Sequence, residues 1–150
     1  MSPPTAPFGR DVIESIIPHR DPFLLVDEVV ELEPGVRVVG RLNVRADSWW
    51  FPGHFPGRPV MPGVLTVEAI AQCGAVAVLA NEANRGKVPF FAGIDGCRFK
   101  RVVEPGDVLD LECEFVRVRG PVARGRGRAS VAGDLAAEAE LTVFVGDASA

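Results

Sequence analysis

Two runs of the chain, 108–118 and 139–145, alternate between hydrophobic and polar residues with a period of two. This alternation is typical of antiparallel strands that bury one face. Together with shorter apolar runs, it predicts strands over the following segments: 23–32, 36–44, 88–95, 97–103, 108–119, 123–133 and 137–145. The turn signals between them are Pro34-Gly35, Glu104-Pro105-Gly106-Asp107 and Gly120-Pro121. We therefore predict one antiparallel sheet of about five to seven strands.

A helical pattern runs from Gly63 to about Asn84. Apolar residues cover most of its circumference, which is typical of a helix buried inside a fold. A short helix is also predicted over VIESII, with Asp11 as its N-cap and Pro18 at its end. One long buried helix packed against an antiparallel sheet is an α+β arrangement.

The length of 150 residues suits a single domain, 1–150. The proline-rich residues 1–10 lack the pattern of a signal peptide and are predicted to form a loose N-terminal arm. One helix covers one face of a sheet, but the edge strands still need pairing or protection. A dimer is therefore predicted.

Composition and charge exclude several classes of function. The net charge of -4 lacks the basic footprint of general nucleic-acid binding, so no nucleic-acid partner is predicted. The most apolar stretch, Val64–Ala80, is interrupted by polar residues and falls short of the ~20 residues that a membrane span needs. Cys73, Cys97 and Cys113 show no CxxC spacing, which indicates reduced thiols in a cytoplasmic protein.

Residues 47–63 hold four prolines and three glycines and predict a shaped loop rather than a regular element. Loops of this length inside compact domains are usually functional. His54 lies in this loop, where fixed backbone angles can hold its side chain in one position. Histidine, with an ordinary pKa of about 6.5, is the natural proton acceptor at neutral pH. The alternative is a structural histidine, which is the commoner case.

Glu68 is the second candidate because it stands in the apolar run VLTVEAIAQCGAVAVLA. A carboxylate is rarely buried without a partner. Gln72 lies four residues further on, so the two polar side chains share one helix face. This narrow polar stripe suggests the lining of a pocket, where a raised pKa would make Glu68 a proton donor. The alternatives are a solvent-facing glutamate or a buried pair with an arginine.

Other chemistries have little support in the sequence. Two histidines and no clustered cysteines leave little for a zinc site, and GxSxG, GxxxxGK[ST] and GxGxxG are all absent. We therefore predict neither a metal nor a cofactor. The remaining histidine, His19, is interpreted as structural because it sits between Pro18 and Arg20 at a helix-to-strand junction.

Eight of the sixteen basic residues fall within residues 98–128. They are Arg98, Lys100, Arg101, Arg117, Arg119, Arg124, Arg126 and Arg128. The plain interpretation is a solvated outer sheet face on which they mix with Glu and Asp. The alternative is a docking patch for an acidic partner, which would add on-rate and orientation.

Three stretches of the chain resemble a known family. IPHRDPFLLVDEVVE, HFPGRPVMPGVLTVEAIAQ and FFAGIDGCRFKRVVEPGD are similar to the signature stretches of bacterial (3R)-hydroxyacyl-acyl-carrier-protein dehydratases of the FabZ type. The resemblance extends over about residues 13–145. It implies a hot-dog fold, in which a curved antiparallel sheet wraps a long central helix, and a dimer that is often assembled into a trimer of dimers.

The resemblance also implies a reaction and the residues that perform it. The family removes water from a (3R)-3-hydroxyacyl thioester to give the trans-2-enoyl thioester. The matching histidine and glutamate, His54 and Glu68, come from opposite subunits in that family. The substrate would be carried by the phosphopantetheine of an acyl carrier protein. The backbone N–H of Gly63 would hydrogen-bond the thioester carbonyl.

The remaining substrate-binding residues predicted from the resemblance are Val64 beside Gly63, and Phe90, Phe91 and Ile94 along the acyl chain. Phe90 stands where the family often has a tyrosine, so a gating hydroxyl is missing. Three alternatives remain at this point. They are an enoyl-thioester hydratase, a hot-dog thioesterase acting on acyl-CoA or acyl carrier protein, and a non-catalytic hot-dog partner subunit.

Overall fold

Residues 2–147, the part of the chain that the computed structural model describes, form two α-helices and one seven-stranded antiparallel sheet. The strands are β1 Phe8–Gly9, β2 Glu28–Glu33, β3 Arg37–Asn43, β4 Val88–Phe99, β5 Val108–Arg119, β6 Val122–Val131 and β7 Asp134–Gly146. Their order across the sheet is β1-β2-β3-β5-β6-β7-β4. The helices are α1, Arg10–Ile16, and α2, Gly63–Ala80. The predicted α+β class is confirmed.

Helix α2 is the centre of the hydrophobic core. Its buried side chains pack on the inner face of the sheet, against strands β3, β5, β6 and β7. A glycine in β6 permits this close approach, because a Cβ atom on Gly127 would overlap the Ile70 side chain of the helix. Helix α2, with 18 residues, is long and apolar enough to cross a membrane, contrary to the expectation from sequence, but 72% of it is buried inside the fold. It is therefore a core helix.

The predicted end of the long helix at about Asn84 was wrong by one turn. Helix α2 ends at Ala80, because Asn81 adopts an extended conformation with ψ 129°. The Asn81 side chain accepts a hydrogen bond from the N–H of Ala83 and begins a short 3-10 turn, Glu82–Asn84. A local polar side chain therefore provides a hydrogen-bond partner for the backbone, and the α-helix does not continue.

Two predicted strands, 88–95 and 97–103, are joined in one continuous strand, β4, which ends at Phe99, so the second was predicted four residues too long. Gly96, with φ 57°, lies within it, and the register with β7 shifts between Asp95 and Arg98. The sequence break at this point is therefore a β-bulge and not a turn. Strand β4 forms an edge of the sheet.

The start of the predicted strand 23–32 was also wrong, since β2 begins only at Glu28. The backbone before it binds helix α2 instead: Gln72 accepts a hydrogen bond from the N–H of Leu25 and donates one to the carbonyl of Phe23. These groups are therefore not available for sheet pairing.

The predicted N-terminal arm and its neighbouring helix cap need correction. Strand β1, within the predicted loose arm 1–10, pairs with β2 through Phe8 and Val29. Gly9 occupies the N-cap position of α1, while Asp11 lies in the first turn without capping it.

Candidate active site

The loop that carries His54 is held by its own backbone. Phe55 and Arg58 exchange two hydrogen bonds of 2.9 Å across Pro56-Gly57, and Gly57 has φ 76°. Proline followed by a glycine with positive φ is typical of a type II turn. Beyond the turn, the Val60 N–H donates to the carbonyl of His54 at 2.9 Å. The prolines and glycines of the sequence thus place His54 at the base of a tight hairpin.

The imidazole of His54 has one nitrogen engaged and one available. Its Nδ1 lies 2.7 Å from the carbonyl oxygen of Val60. A carbonyl only accepts hydrogen bonds, so Nδ1 carries the proton and Nε2 of the neutral ring holds the lone pair. The Phe55 ring stacks on the imidazole with 4.0 Å between centroids. This arrangement presents Nε2 as a base in a fixed orientation.

A largely apolar cavity of about 310 Å³ adjoins His54. It is lined by His54, by the first residues of α2, Gly63 and Val64, and by Phe99. The ring of Phe99 lies directly over Gly63, where a Cβ atom would come within 2.7 Å of it. No side chain caps the N-terminus of this helix. The N–H groups of Gly63 and Val64 have no acceptor within residues 2–147, so they can bind an oxygen of a ligand.

Glu68 lies in a second cavity, about 50 Å³ in volume. The cavity is lined by Glu68, Gln72 and His19 together with Phe90 and Phe91. The Glu68 side chain is 20% exposed. Gln72 donates a hydrogen bond of 2.8 Å to its Oε2. Because Gln72 also binds the backbone of residues 23 and 25, the carboxyl group is held in place.

Burial raises the pKa of Glu68 above its ordinary value, and the hydrogen bond from Gln72 opposes this only in part. The pKa of the neighbouring His19 shifts in the opposite direction, because burial, and then the charge of Arg20, lower it. The same apolar surroundings therefore favour the uncharged form of each group. A neutral carboxyl group at neutral pH can act as a proton donor.

This raised pKa predicts a pH-dependent cost to stability. A carboxyl group whose pKa is higher in the folded than in the unfolded state stabilises the fold below the unfolded value of about 4.5. That contribution is lost as the pH rises through the folded value. Because Glu68→Gln cannot ionise, we expect its free energy of unfolding to exceed that of the wild type increasingly as the pH rises from about 4.5.

Urea unfolding of the wild type and of Glu68→Gln across this pH range measures the difference. Glu33→Gln is the matched control, because it removes a carboxylate that is exposed at the end of β2. A constant difference between wild type and Glu68→Gln at all pH values would contradict the expectation.

The structure divides the sequence-predicted residues into two sets. His54, Gly63 and Val64 line one cavity, whereas Glu68, Phe90 and Phe91 line the other. Ile94 belongs to neither set and is 47% exposed on the edge strand β4. Within one chain, His54 and Glu68 therefore do not line a common cavity.

Two polar side chains, Gln72 and His19, lie beside Glu68, and the sequence predicted only the first of these contacts. Gln72 was recognisable by its i,i+4 spacing from Glu68. His19 was interpreted as structural, yet its Nε2 lies 3.8 Å from the Glu68 carboxylate. No local spacing relates a loop after α1 to the middle of α2. The only feature of the sequence that pointed to a role for His19 was its place in the stretch IPHRDPFLLVDEVVE.

The arginines of β6 match the plain interpretation of the basic cluster. Arg124 forms a 2.9 Å ion pair with Glu140, and Arg126 lies 3.7 Å from the same carboxylate. Across the outer face of the sheet, Arg128 stands opposite Glu112 on one side and Glu138 on the other. Such opposite-charge pairs stabilise the sheet modestly.

Within residues 2–147, no group of three or more His, Cys, Asp or Glu side chains is placed to hold a metal ion.

Comparisons with known proteins agree with this architecture. Residues 17–140 match the model of the FabA-like domain family. The 3-hydroxyacyl-acyl-carrier-protein dehydratase FabZ of Bacillus cereus strain AH187 is 59% identical over 135 residues, which covers 90% of this chain and 94% of that protein. FabZ of Bacillus thuringiensis strain Al Hakam has the same identity and coverage.

A solved structure, the dehydratase heterocomplex ApeI:P from Xenorhabdus doucetiae, shares the fold. It has a TM-score of 0.79 at 18% identity, over 91% of this chain and 92% of that chain. This likeness confirms the hot-dog architecture. With the family match and the 59% identity to FabZ enzymes, it leads to one conclusion: the chain belongs to the FabA-like family, among the FabZ-type 3-hydroxyacyl-acyl-carrier-protein dehydratases.

Proposed function

We propose that this protein removes water from (3R)-3-hydroxyacyl groups, carried as thioesters on acyl carrier protein, to give trans-2-enoyl thioesters. The observation that carries the proposal is the 59% identity to FabZ dehydratases over 90% of the chain. The presence of a positioned imidazole and a buried carboxyl group supports it, because dehydration needs one base and one acid.

The chemistry begins at the carbon next to the thioester carbonyl. The free N–H groups of Gly63 and Val64 at the start of α2 would hydrogen-bond the carbonyl oxygen. They would stabilise the negative charge that develops there and so lower the pKa of the C2–H group. Nε2 of His54, which lines the same cavity, would take the C2 proton.

The departing group is the hydroxyl on C3. A carboxyl group whose pKa is raised by burial is protonated more readily near neutral pH and can then deliver its proton to that oxygen. Glu68 is this group in our proposal. The C2–H electron pair becomes the new double bond, the C3–O bond breaks, and the proton of Glu68 completes the leaving water molecule.

We propose that the base and the acid meet across a dimer of two identical chains. Supporting this, the edge strand β4 exposes Phe90, Phe91 and Ile94, and Val64 on α2 is 73% exposed. An edge strand and exposed apolar side chains favour a second copy as cover. In such an isologous dimer, each His54 cavity can adjoin the partner's Glu68 cavity.

The carrier protein would dock near the His54 cavity. Arg101 lines that cavity, and Arg98 and Lys100 are exposed close to it along the chain. Positive charge at the entrance would steer an acidic carrier protein and its thioester toward the site. In contrast, Arg124 and Arg126 are engaged with Glu140 and are less available for this role.

An assay with three products tests the proposal. The purified protein is given a (3R)-3-hydroxyacyl group on acyl carrier protein, and separately on coenzyme A, while enoyl thioester and free thiol are measured. In a further reaction it is given enoyl-coenzyme A, and the 3-hydroxyacyl product is measured. We expect enoyl thioester without thiol release, and a higher kcat/KM on the carrier protein. Thiol release without enoyl product would replace the proposal with a thioesterase. A preference for hydrating enoyl-coenzyme A would favour the hydratase alternative, and inactivity on every substrate would favour a non-catalytic subunit.

A further inference from the structure

His19 is a partly buried titratable group that the mechanism above does not use. It follows Pro18 in the loop after α1, and its ring lines the Glu68 cavity. Arg20 braces this loop by donating hydrogen bonds to the carbonyls of Ile17 and Glu14 at 3.0 and 2.9 Å. The side chains of His19 and Glu68 are each 20% exposed.

The distance between His19 and Glu68 is too long for a direct contact. Nε2 of His19 and Oε2 of Glu68 lie 3.8 Å apart, whereas a hydrogen bond between N and O needs about 2.7 to 3.2 Å. An oxygen atom placed about 2.8 Å from each would fit across this gap. The cavity of about 50 Å³ accommodates a group the size of a water molecule.

The hydrogen-bonding state of the imidazole favours Nε2 as a donor. Nδ1 of His19 is buried and has no hydrogen-bond partner within residues 2–147. Burial and the charge of Arg20 keep the ring neutral, so it carries one N–H. A proton on Nδ1 would be a buried donor without an acceptor, whereas a proton on Nε2 points to the gap beside Glu68.

We propose that His19 is a further catalytic residue, which binds the leaving C3 oxygen through Nε2–H while Glu68 protonates it. This inference rests on the proposed dehydration and adds a second donor at the oxygen. The C3–O bond breaks with its electron pair on oxygen, the proton comes from Glu68, and the hydrogen bond from His19 shares the developing charge. His19 itself keeps its proton throughout.

Two substitutions separate this role from a structural one. His19→Leu fills a similar volume without a donor. His19→Gln retains an amide N–H at roughly the position of Nε2. We expect His19→Leu to lower kcat by about 10²-fold with little change in KM, as when a single positioned donor is removed. We expect His19→Gln to stay within about tenfold of the wild type.

The thermal stability of the two variants should not follow the order of their kcat values. Because Nδ1 has no partner, His19→Leu removes no hydrogen bond within the described residues and should unfold at a temperature close to that of the wild type. Thermal unfolding of both variants checks this. If His19→Leu is folded but retains wild-type kcat, the inference is overturned.

A changed leaving group gives a second readout. A 3-chloroacyl thioester, in which chlorine takes the position of the C3 hydroxyl group, loses chloride, and this leaving group needs no proton. We expect His19→Leu to slow this elimination far less than the dehydration, because the base and the carbonyl contacts are unchanged. Equal losses on both substrates would indicate a structural role and overturn the inference. If the wild type itself fails to dehydrate, the proposed function has failed instead.

Discussion

Replacing His54 by alanine, or Glu68 by glutamine, should lower the kcat of dehydration by about 10²- to 10⁴-fold each, the usual contribution of a positioned acid or base. His54→Ala removes the base held by the Val60 carbonyl. Glu68→Gln keeps the volume and can still accept the hydrogen bond from Gln72, but it has no proton to deliver. Steady-state kinetics on a (3R)-3-hydroxyacyl carrier-protein substrate measures both effects.

Glu33→Gln serves as the control for charge removal, since Glu33 is exposed at the end of β2. We expect it to retain the wild-type kcat. The double variant of His54 and Glu68 should lose about as much as the worse single variant, because an acid and a base that act in one step are not additive. A single variant that keeps a tenth or more of the wild-type kcat would remove that residue from the chemistry.

The sequence predicts most accurately those elements whose pattern is local. Strand β5 was predicted over 108–119 and is observed over Val108–Arg119, because it buries alternate side chains along nearly half its length. In contrast, FLLV at 23–26 has the composition of a strand but not its backbone pairing. Its N–H and carbonyl groups bind Gln72, and no window of sequence around residue 25 contains that partner.

The same distinction applies to the site. The fixed loop around His54 was predictable, because prolines and a positive-φ glycine determine the backbone within a few residues. The burial of Glu68 followed from the apolar helix around it. The contact between His19 and Glu68 depends on how the loop after α1 packs on α2, which is a long-range property of the fold. Periodicity contains no information about such contacts.

Whether His54 and Glu68 act within one chain or between two is a different kind of question. Local patterns place each side chain on its element but do not say which copy of the chain completes the site. The separation of the two residues into different cavities of one chain favours the second possibility. It also makes a specific prediction for mixtures of inactive subunits.

Mixing His54→Ala and Glu68→Gln subunits should restore activity that neither variant has alone. After reversible dissociation and random reassociation, about half of the dimers contain one subunit of each kind. In a mixed dimer, one site combines the intact Glu68 of the first subunit with the intact His54 of the second, while the other site lacks both. We therefore expect recovery to about a quarter of the wild-type kcat at equal subunit concentrations.

The control is a mixture of His54→Ala with the double variant, in which subunits exchange but no site regains a histidine. It should remain inactive. Size-exclusion chromatography establishes that dimers have re-formed in both mixtures. If exchange occurs and the first mixture stays as inactive as its components, each site takes its acid and base from one chain. His54 and Glu68, which line separate cavities of one chain, would then have to act on one substrate within a protomer.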